Sequence, residues 1–384
     1  MPRGTAPQGG AAVTASVTWR VGGAERSGAW LSPSSPLPRR LGEADDRTTA
    51  AAALSRVRGG EALVYSGDFR NARQLLAAMG RRLRGRAPPA RDATALYRME
   101  RDLRRREHDL LSRLLVPIEE QLRVPLRNAP DAALALAEAL GPDPGAPGLL
   151  PLRDLLGMVG AHEWRRKGVA VPALGAAVHP HYGVYAPVRG EYVDLVAQAA
   201  REWPVAGKRA LDVGTGTGVL ALLLARAGAR LVATDVEPRA VVCARENVAR
   251  LGLGAEIQVV EADLFPAGQF ELVVSNPPWL PDAARTPLER AVYDPGGVVL
   301  ERLVLGLEAR LAPGGEAWIV ISDLAELLRL RAPGHVAALA ARAGLRVADV
   351  RETRPSHPRA HDPDDPLHAF RAREVTRLFR LVRA

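Results

Sequence analysis

Between Arg209 and Ala225 the chain reads R-A-L-D-V-G-T-G-T-G-V-L-A-L-L-L-A. A short apolar run is followed by three glycines at alternate positions and then by a second, longer apolar run. The first run has the length of a buried strand and the second that of a helix. Glycine reaches the positive φ that a sharp reversal needs, and it leaves the main chain open to a ligand. The helix behind such a turn presents unpaired N–H groups and the positive end of its dipole. A strand that passes straight into a helix must return beside itself as a parallel neighbour, so this stretch points to an α/β crossover fold. On its own the turn names no ligand, because dinucleotide enzymes share it.

The rest of the C-terminal half repeats that alternation. Strands are expected near 209–213, 230–235, 256–260, 270–275, 315–321, 345–350 and 375–382, with helices near 189–201, 217–227, 237–251, 297–311 and 334–343. Seven strands, the last antiparallel, describe a Rossmann-like doubly wound sheet with helices on both faces. The half before it has a different texture. Residues 1–45, rich in Gly, Pro and Ser, read as a flexible leader, and 46–166 as a mostly helical N-terminal domain for substrate recognition. Residues 167–384 form the domain of the doubly wound sheet. In the longest helix expected before residue 167, Leu96, Met99, Leu103, Leu110 and Leu114 recur at helical spacing, and Arg98, Arg101 and Arg105 stripe the other side as a solvated face. The run G-P-D-P-G-A-P-G after Leu140 is a linker.

Charge divides the chain in the same place. Residues 1–167 hold 27 Lys+Arg against 18 Asp+Glu and the remainder 25 against 25, so the net +9 lies wholly in the first part. An acidic partner there, RNA or an acidic protein surface, fits that imbalance, although the arginine-rich usage also fits a compositional bias. The single cysteine, Cys243, excludes an internal disulfide and reads as a buried structural thiol. No apolar stretch has the length of a membrane span, and the start lacks the pattern of a signal peptide, so the expected place is the cytoplasm.

Polar residues stand at successive strand ends of the doubly wound region. Gly214, Thr215, Gly216 and Gly218 form the turn. Asp235, about 20 residues after it, is placed to accept ribose hydroxyls. Asp263 is placed for an adenine amino group, with Leu264 against the ring, and Asp212 for the amino-acid end of a cofactor. Asn276-Pro277-Pro278-Trp279 follows a buried strand. Its prolines remove backbone donors and fix the chain. The Asn276 side-chain oxygen and the Pro277 carbonyl can accept both hydrogens of a planar NH2 group, and Trp279 can stack on the plane carrying it. Positioning and electrostatics suffice when the leaving group is already activated.

With these residues in view, the region from about 180 to 384 resembles class I methyltransferases with a small methyltransferase domain. These include the HemK-like enzymes acting on a glutamine amide of release factors and the N-methyltransferases of ribosomal RNA and DNA. L-D-V-G-T-G-T-G-V-L-A-L resembles their cofactor loop and V-V-S-N-P-P-W their catalytic loop. The resemblance implies S-adenosylmethionine as cofactor, held by Gly214, Gly216, Gly218, Asp235 and Asp263, with Asn276 also at the cofactor and Asn276 to Trp279 holding the target nitrogen. Two departures stand out: Trp279 where the glutamine enzymes usually carry Tyr, and V-Y-A-P-V-R-G-E-Y in place of their proline-acid signature. Within that segment Tyr185 and Arg189 are candidate substrate residues, and Arg189 and Glu191 candidates for similar work near the cofactor. Tyr293 is a third substrate candidate, in a long connection from Pro281 to Gly297 that reads as a lid.

Several residues have blander readings. His179 and His181 read as solvated loop histidines or a substrate lip. His357, His361 and His368, near Asp362, Asp364 and Asp365, match no metal-ligand spacing, so no metal is expected. The pattern as a whole reads as transfer of a methyl group to an amide or exocyclic amino nitrogen in RNA or protein. A small-molecule substrate is the rival within that class. A nicotinamide-dependent oxidoreductase shares the glycine turn but has no use for N-P-P-W, and intact Asn276 and Asp235 argue against a dead binding module.

Overall fold

The structure, a computed structural model, describes residues 15–83, 92–141, 145–355 and 361–384. The chain divides into two compact units: residues before 87 with Leu103–Gly160, and residues 87–102 with Ala161–Ala384. Among the described residues no helix is long and apolar enough to cross a membrane.

In the first unit, β1 (Ser16–Val21) and β2 (Ala24–Trp30) form a hairpin closed by Gly22 and Gly23, both at positive φ, as a tight turn between twisted strands requires. The chain continues through β3 (Leu41–Ala44), α1 (Ala50–Arg58), β4 (Ala62–Tyr65), α2 (Phe69–Leu83), α3 (Ala93–Leu111), whose residues up to Asp102 fall in the second unit, β5 (Leu114–Ile118), α4 (Ala133–Leu140), β6 (Gly148–Pro151) and α5 (Leu152–Lys167), whose residues from Ala161 fall in the second unit. The strands make a six-stranded mixed sheet in the order β1-β2-β6-β5-β4-β3. Trp19, Trp30, Val64, Leu115 and Leu149 fill its core.

This corrects the expected organisation of the first part. The helices are present, but they flank a sheet, and the supposed leader contributes β1, β2 and β3; residues 1–14 lie outside the described residues. The reason is physical. Every residue of β4, β5 and β6 is buried, so these strands show no alternation of apolar and polar positions. Four or five apolar residues without alternation cannot be told from part of a helix. α1 is capped by Thr49, which accepts from the Ala52 N–H, while Asp46 accepts from the Tyr65 hydroxyl at 2.6 Å and the Asp68 N–H at 3.0 Å. Those bonds hold the Asp46 carboxyl down at about 2.

In the second unit a two-stranded ladder, β7 (Val169–Val171) and β8 (Ala176–Val178), precedes α6 (Glu191–Glu202). Then follow β9 (Arg209–Val213), α7 (Val219–Arg226), β10 (Arg230–Asp235), α8 (Pro238–Arg250), β11 (Ile257–Glu261), β12 (Phe270–Ser275), α9 (Val298–Arg310) and β13 (Leu311–Ser322). The chain ends through α10 (Leu324–Leu327), α11 (His335–Arg342), β14 (Leu345–Thr353), α12 (His368–Arg371) and β15 (Thr376–Arg383). The seven strands stand in the order β11-β10-β9-β12-β13-β15-β14, and β15 runs antiparallel to both its neighbours. All seven expected strands and the expected direction of the last are present.

Helices cover both faces. Val193 and Val196 of α6 pack with Leu220 and Leu224 of α7 against Leu231, Val274 and Trp318 of the sheet. On the other face Leu300, Leu303 and Leu307 of α9 and Leu339 of α11 meet Leu211, Val273 and Ile319. The order reverses at β9: β10 and β11 lie to one side and β12 onward to the other. A doubly wound sheet opens a crevice at such a reversal, outside the carboxyl ends of its strands.

Candidate active site

The turn after β9 is strung from β10. The Thr234 carbonyl accepts from the N–H groups of Gly214 at 2.9 Å and Thr215 at 2.8 Å. One Asp235 carboxylate oxygen accepts from the Gly216 N–H at 2.9 Å and the other from the Glu237 N–H at 3.0 Å. Burial raises the Asp235 carboxyl above its ordinary range despite these bonds. Gly214 (φ 73°) and Gly216 (φ 55°) are left-handed, and a Cβ on either would meet nothing within 4 Å, so this side of the turn is open. At Gly218 a Cβ would stand 3.4 Å from that of Ala244, which makes the third glycine a packing contact of α7 on α8.

Asp212 lies beneath the turn. It is 1% exposed and accepts from the Thr215 hydroxyl at 2.6 Å and the Ala221 N–H at 3.1 Å. Burial pushes its carboxyl up to about 7. The structure thus shows this carboxylate bracing the loop and the first turn of α7. Asp263, by contrast, is exposed after β11 and pairs with Arg302 of α9 at 2.7 Å. Leu264 beside it is held at φ 67°, a left-handed conformation costly for a branched side chain, while its carbonyl accepts from the Thr234 hydroxyl at 2.8 Å. Val236, which belongs to no motif of the sequence, is an apolar side chain 58% exposed immediately after Asp235. The signal was available: a valine directly behind a strand-end acid has no core to enter.

β12 is tied to β9 where it ends, since the Ser275 hydroxyl donates to the Val213 carbonyl at 2.8 Å. In the turn that follows, the Trp279 indole N–H donates to Asn276 Oδ1 at 2.8 Å. That bond fixes the amide oxygen and occupies one of its two lone pairs. Beyond it, the Val292 carbonyl accepts from the N–H groups of both Trp279 and Leu280 at 3.1 Å. The Arg189 guanidinium stands 5.5 Å over the Trp279 ring. Its own position is set by Glu374, at 3.3 Å and fully buried, which also accepts from the Ser322 hydroxyl at 2.7 Å. Glu191, at the start of α6, lies 3.5 Å from Arg189. Tyr185 is half-buried in the same cluster, and burial raises its phenol.

The connection from Pro281 to Gly297 is pinned down. Asp282 accepts from the Tyr97 hydroxyl at 2.8 Å and Arg101 Nε at 3.1 Å; Arg101 also donates to the Ala283 carbonyl at 2.8 Å and pairs with Glu289 at 3.4 Å. The same guanidinium lies 3.9 Å over the Tyr293 ring. Asp294, buried, accepts from the Val299 and Leu300 N–H groups and starts α9. Arg101 therefore leaves the solvated stripe assigned to it, and Tyr293 is covered by Arg101. The histidines differ from expectation too. His179 bonds to the Arg165 carbonyl at 2.6 Å, and His181, 9% exposed, to Glu246 at 2.9 Å, so both are structural. His357 lies outside the described residues. Asp365 pairs with Arg371 at 3.2 Å. Cys243 is fully buried, and burial pushes its thiol up to about 12.

A seven-stranded sheet with an antiparallel β15, a glycine turn after β9 and an Asn-Pro-Pro-Trp turn after β12 define the architecture of a class I methyltransferase. Residues 194–347 match the family described as methyltransferase small domain. The release factor glutamine methyltransferase of Deinococcus radiodurans is 38% identical over 180 residues, 43% of this chain and 60% of that protein. A putative protein N5-glutamine methyltransferase of Methanocaldococcus jannaschii is 30% identical over 165 residues, 41% of this chain and 80% of that protein. The tRNA1(Val) (adenine(37)-N6)-methyltransferase of Tolumonas auensis is 44% identical over 94 residues, covering 21% and 40%. The chain spans 60% or less of the length of the first of these curated relatives. It belongs to the small-domain methyltransferase family, and that membership implies S-adenosylmethionine as methyl donor.

Proposed function

We propose that the protein is an S-adenosylmethionine-dependent N-methyltransferase acting on a planar amide or exocyclic amino nitrogen of a macromolecule. The observation that carries the reading is the oriented Asn276 oxygen, 2.8 Å from the Trp279 indole nitrogen, at a strand end tied by Ser275 to the glycine turn. The residues present fit the cofactor. The open side of Gly214 and Gly216 admits a ligand against the main chain, and Asp235 is held by backbone N–H groups with lone pairs left for ribose hydroxyls. Val236 and Leu264 supply apolar surface for the adenine, with Asp263 beside them at the amino edge. When bound, the cofactor supplies a methyl group on a sulfonium, which is already activated towards a nitrogen lone pair.

This chain's own residues then position the acceptor. Asn276 Oδ1 keeps one lone pair for an N–H of the target, and the Pro277 carbonyl takes the second hydrogen. Drawing both hydrogens to one side leaves the nitrogen lone pair free on the other. Trp279, held by Arg189 and by its bond to Asn276, limits the rotation of the target plane, so catalysis rests on orientation rather than on a strong base. Two features favour a macromolecular acceptor: the relatives named above methylate a protein glutamine and a tRNA adenine, and the net positive charge lies in residues 1–167. The protein is expected to act in the cytoplasm. Calorimetry with S-adenosylmethionine, followed by transfer of labelled methyl into fractionated RNA, protein and small-molecule extracts, tests the reading. Absence of binding overturns it, and label confined to small molecules overturns the macromolecular acceptor.

A further inference from the structure

The sheet of the second unit is open at the end opposite the glycine turn. Between β11 and β12 the chain passes from Ala262 to Gln269 without forming a helix. α9 and α11 cover Leu211, Val273 and Ile319, while Val232 on β10 is left partly buried. Over the amino ends of β9, β10 and β11 lies a cleft of about 620 Å³, with Arg209, Arg230, Val232, Glu256 and Gln258 in its walls. Small-molecule sites have volumes of this order. β10 runs from Arg230 to Asp235, so at about 3.3 Å per residue the cleft is roughly 17 Å from the carboxyl ends of the strands. It is a separate place from the turn after β9.

The charges in this cleft are not matched to one another. Arg209 and Arg230 stand opposite each other on parallel strands and so share one face of the sheet. Neighbouring strands lie about 4.8 Å apart, and like charges placed that way repel. Arg209 is nonetheless held in position. Its guanidinium lies 4.9 Å over the Phe270 ring and crosses Gly268 so closely that a Cβ there would stand 2.9 Å from Nη2. The nearby Glu271 carboxylate accepts from the Arg209 backbone N–H at 2.8 Å. On the other side Ile257 is opposite Leu231, which brings Glu256 beside Arg230. Among the described residues Glu256 Oε2 is shielded from solvent and accepts no hydrogen bond, and neither guanidinium has an ion-pair partner. Two free guanidiniums next to an unfilled acceptor call for a ligand with an anionic group and, apart from it, hydrogen-bond donors.

We propose that this cleft is a second ligand site and binds a nucleotide. The forks of Arg209 and Arg230 take the phosphate, whose oxygens match guanidinium geometry and cancel the repulsion between the two side chains. Glu256 Oε2 accepts from a hydroxyl or amino group of the sugar or base, Gln258 bonds at the rim, and Val232 gives the base an apolar surface. A bare anion fits less well, because Glu256 would repel it and keep its acceptor empty. A free nucleotide and one unit of a polynucleotide present the same chemistry here. The site is independent of the methyl-transfer reading, since it shares no residue with the turn after β9 or with Asn276 to Trp279.

The test is calorimetry on the full chain with cytidine 5′-monophosphate, cytidine, inorganic phosphate and a short oligocytidylate. Wild type should bind the nucleotide more tightly than inorganic phosphate and leave cytidine unbound. Arg230→Gln should weaken the nucleotide by about 10- to 100-fold, and Glu256→Gln should weaken it while leaving inorganic phosphate no weaker. Unchanged thermal midpoints certify the fold of both variants. An oligocytidylate that binds more tightly than the nucleotide, and loses that affinity in Arg230→Gln, makes the source a polynucleotide; equal or weaker binding makes it a free nucleotide. The proposal is overturned if wild type binds neither, if binding is indifferent to Arg230→Gln, or if inorganic phosphate binds as tightly as the nucleotide. Nucleotide binding abolished by Asp235→Ala would place the ligand at the glycine turn and overturn it as well. None of these outcomes bears on whether the protein binds S-adenosylmethionine.

Discussion

The two halves of the site are built on opposite plans. On the glycine-turn side the bonds to the two aspartates are local: Thr215 and Ala221 bond to Asp212 over 3 and 9 residues, and Gly216 bonds to Asp235 over 19. On the Asn276 side the supports come from far away in the chain. Arg189 is held by Glu374 across 185 residues, and Asp282 is held by Arg101 across 181. A locally braced loop takes shape with its own βαβ unit, whereas the second half is complete only when the whole unit has assembled. The first should therefore tolerate distant substitutions that misalign the second.

The sharpest way to break this comparison is Asn276→Ala. Methyl transfer should fall by about 100- to 1,000-fold, because an oriented acceptor is lost at the reacting nitrogen, while calorimetric affinity for S-adenosylmethionine stays within about threefold. Undiminished transfer would remove the turn from the chemistry. On the other side, Asp212 sets a pH signature. Its folded pKa of about 7 lies above the unfolded value near 3.9, so its stabilising contribution is complete below the unfolded value and is lost as pH rises through about 7. Urea unfolding across that window should show wild type losing on the order of a few kcal/mol relative to Asp212→Asn; parallel curves would mean the carboxylate is not enclosed.

Asp235→Ala should weaken S-adenosylmethionine by about 10- to 100-fold in calorimetry, since it removes an acceptor for the ribose and frees the Gly216 and Glu237 N–H groups. Trp279→Phe keeps a ring beneath Arg189 and deletes the donor to Asn276. Turnover should drop about tenfold with cofactor affinity unchanged, and a rise in KM alone would reduce the indole to a stacking surface. The smallest effect is expected from Arg101→Met, which should raise amide exchange in residues 283–291 by about a few-fold and leave the glycine turn as protected as before. Equal loosening of both would show that the two halves are not independent.

The same contrast explains what could be read from sequence. β9 to β15 announce themselves because each strand is followed by its own punctuation, and Asp235 stands where a local rule puts it. The place of Asp212 before the turn is legible, but sequence does not say that the Thr215 hydroxyl and the Ala221 N–H donate to it. Helical spacing locates the face that carries Arg101 and not its neighbours, here Asp282 and Tyr293 from much later in the chain. S-V-T-W-R-V, which alternates, can be read as a strand, whereas β4, β5 and β6 cannot, for want of alternation. Leu264 gave no sign of its left-handed backbone, a conformation sequence advertises only when glycine or asparagine occupies it.

Helix α3 belongs to both compact units, its residues up to Asp102 to one and those from Leu103 to the other. Dissection by gene truncation is therefore treacherous. A fragment starting at residue 167 would contain the entire seven-stranded sheet and every glycine of the turn, and would lack Tyr97, Arg101 and Arg165. Asp282 would lose Tyr97 and Arg101, Glu289 and the Tyr293 ring would lose Arg101, and Glu246 would lose Arg165 while keeping His181. Such a fragment is expected to retain the cofactor and to misplace the acceptor, so silence from an excised catalytic half would report on where the scissors fell.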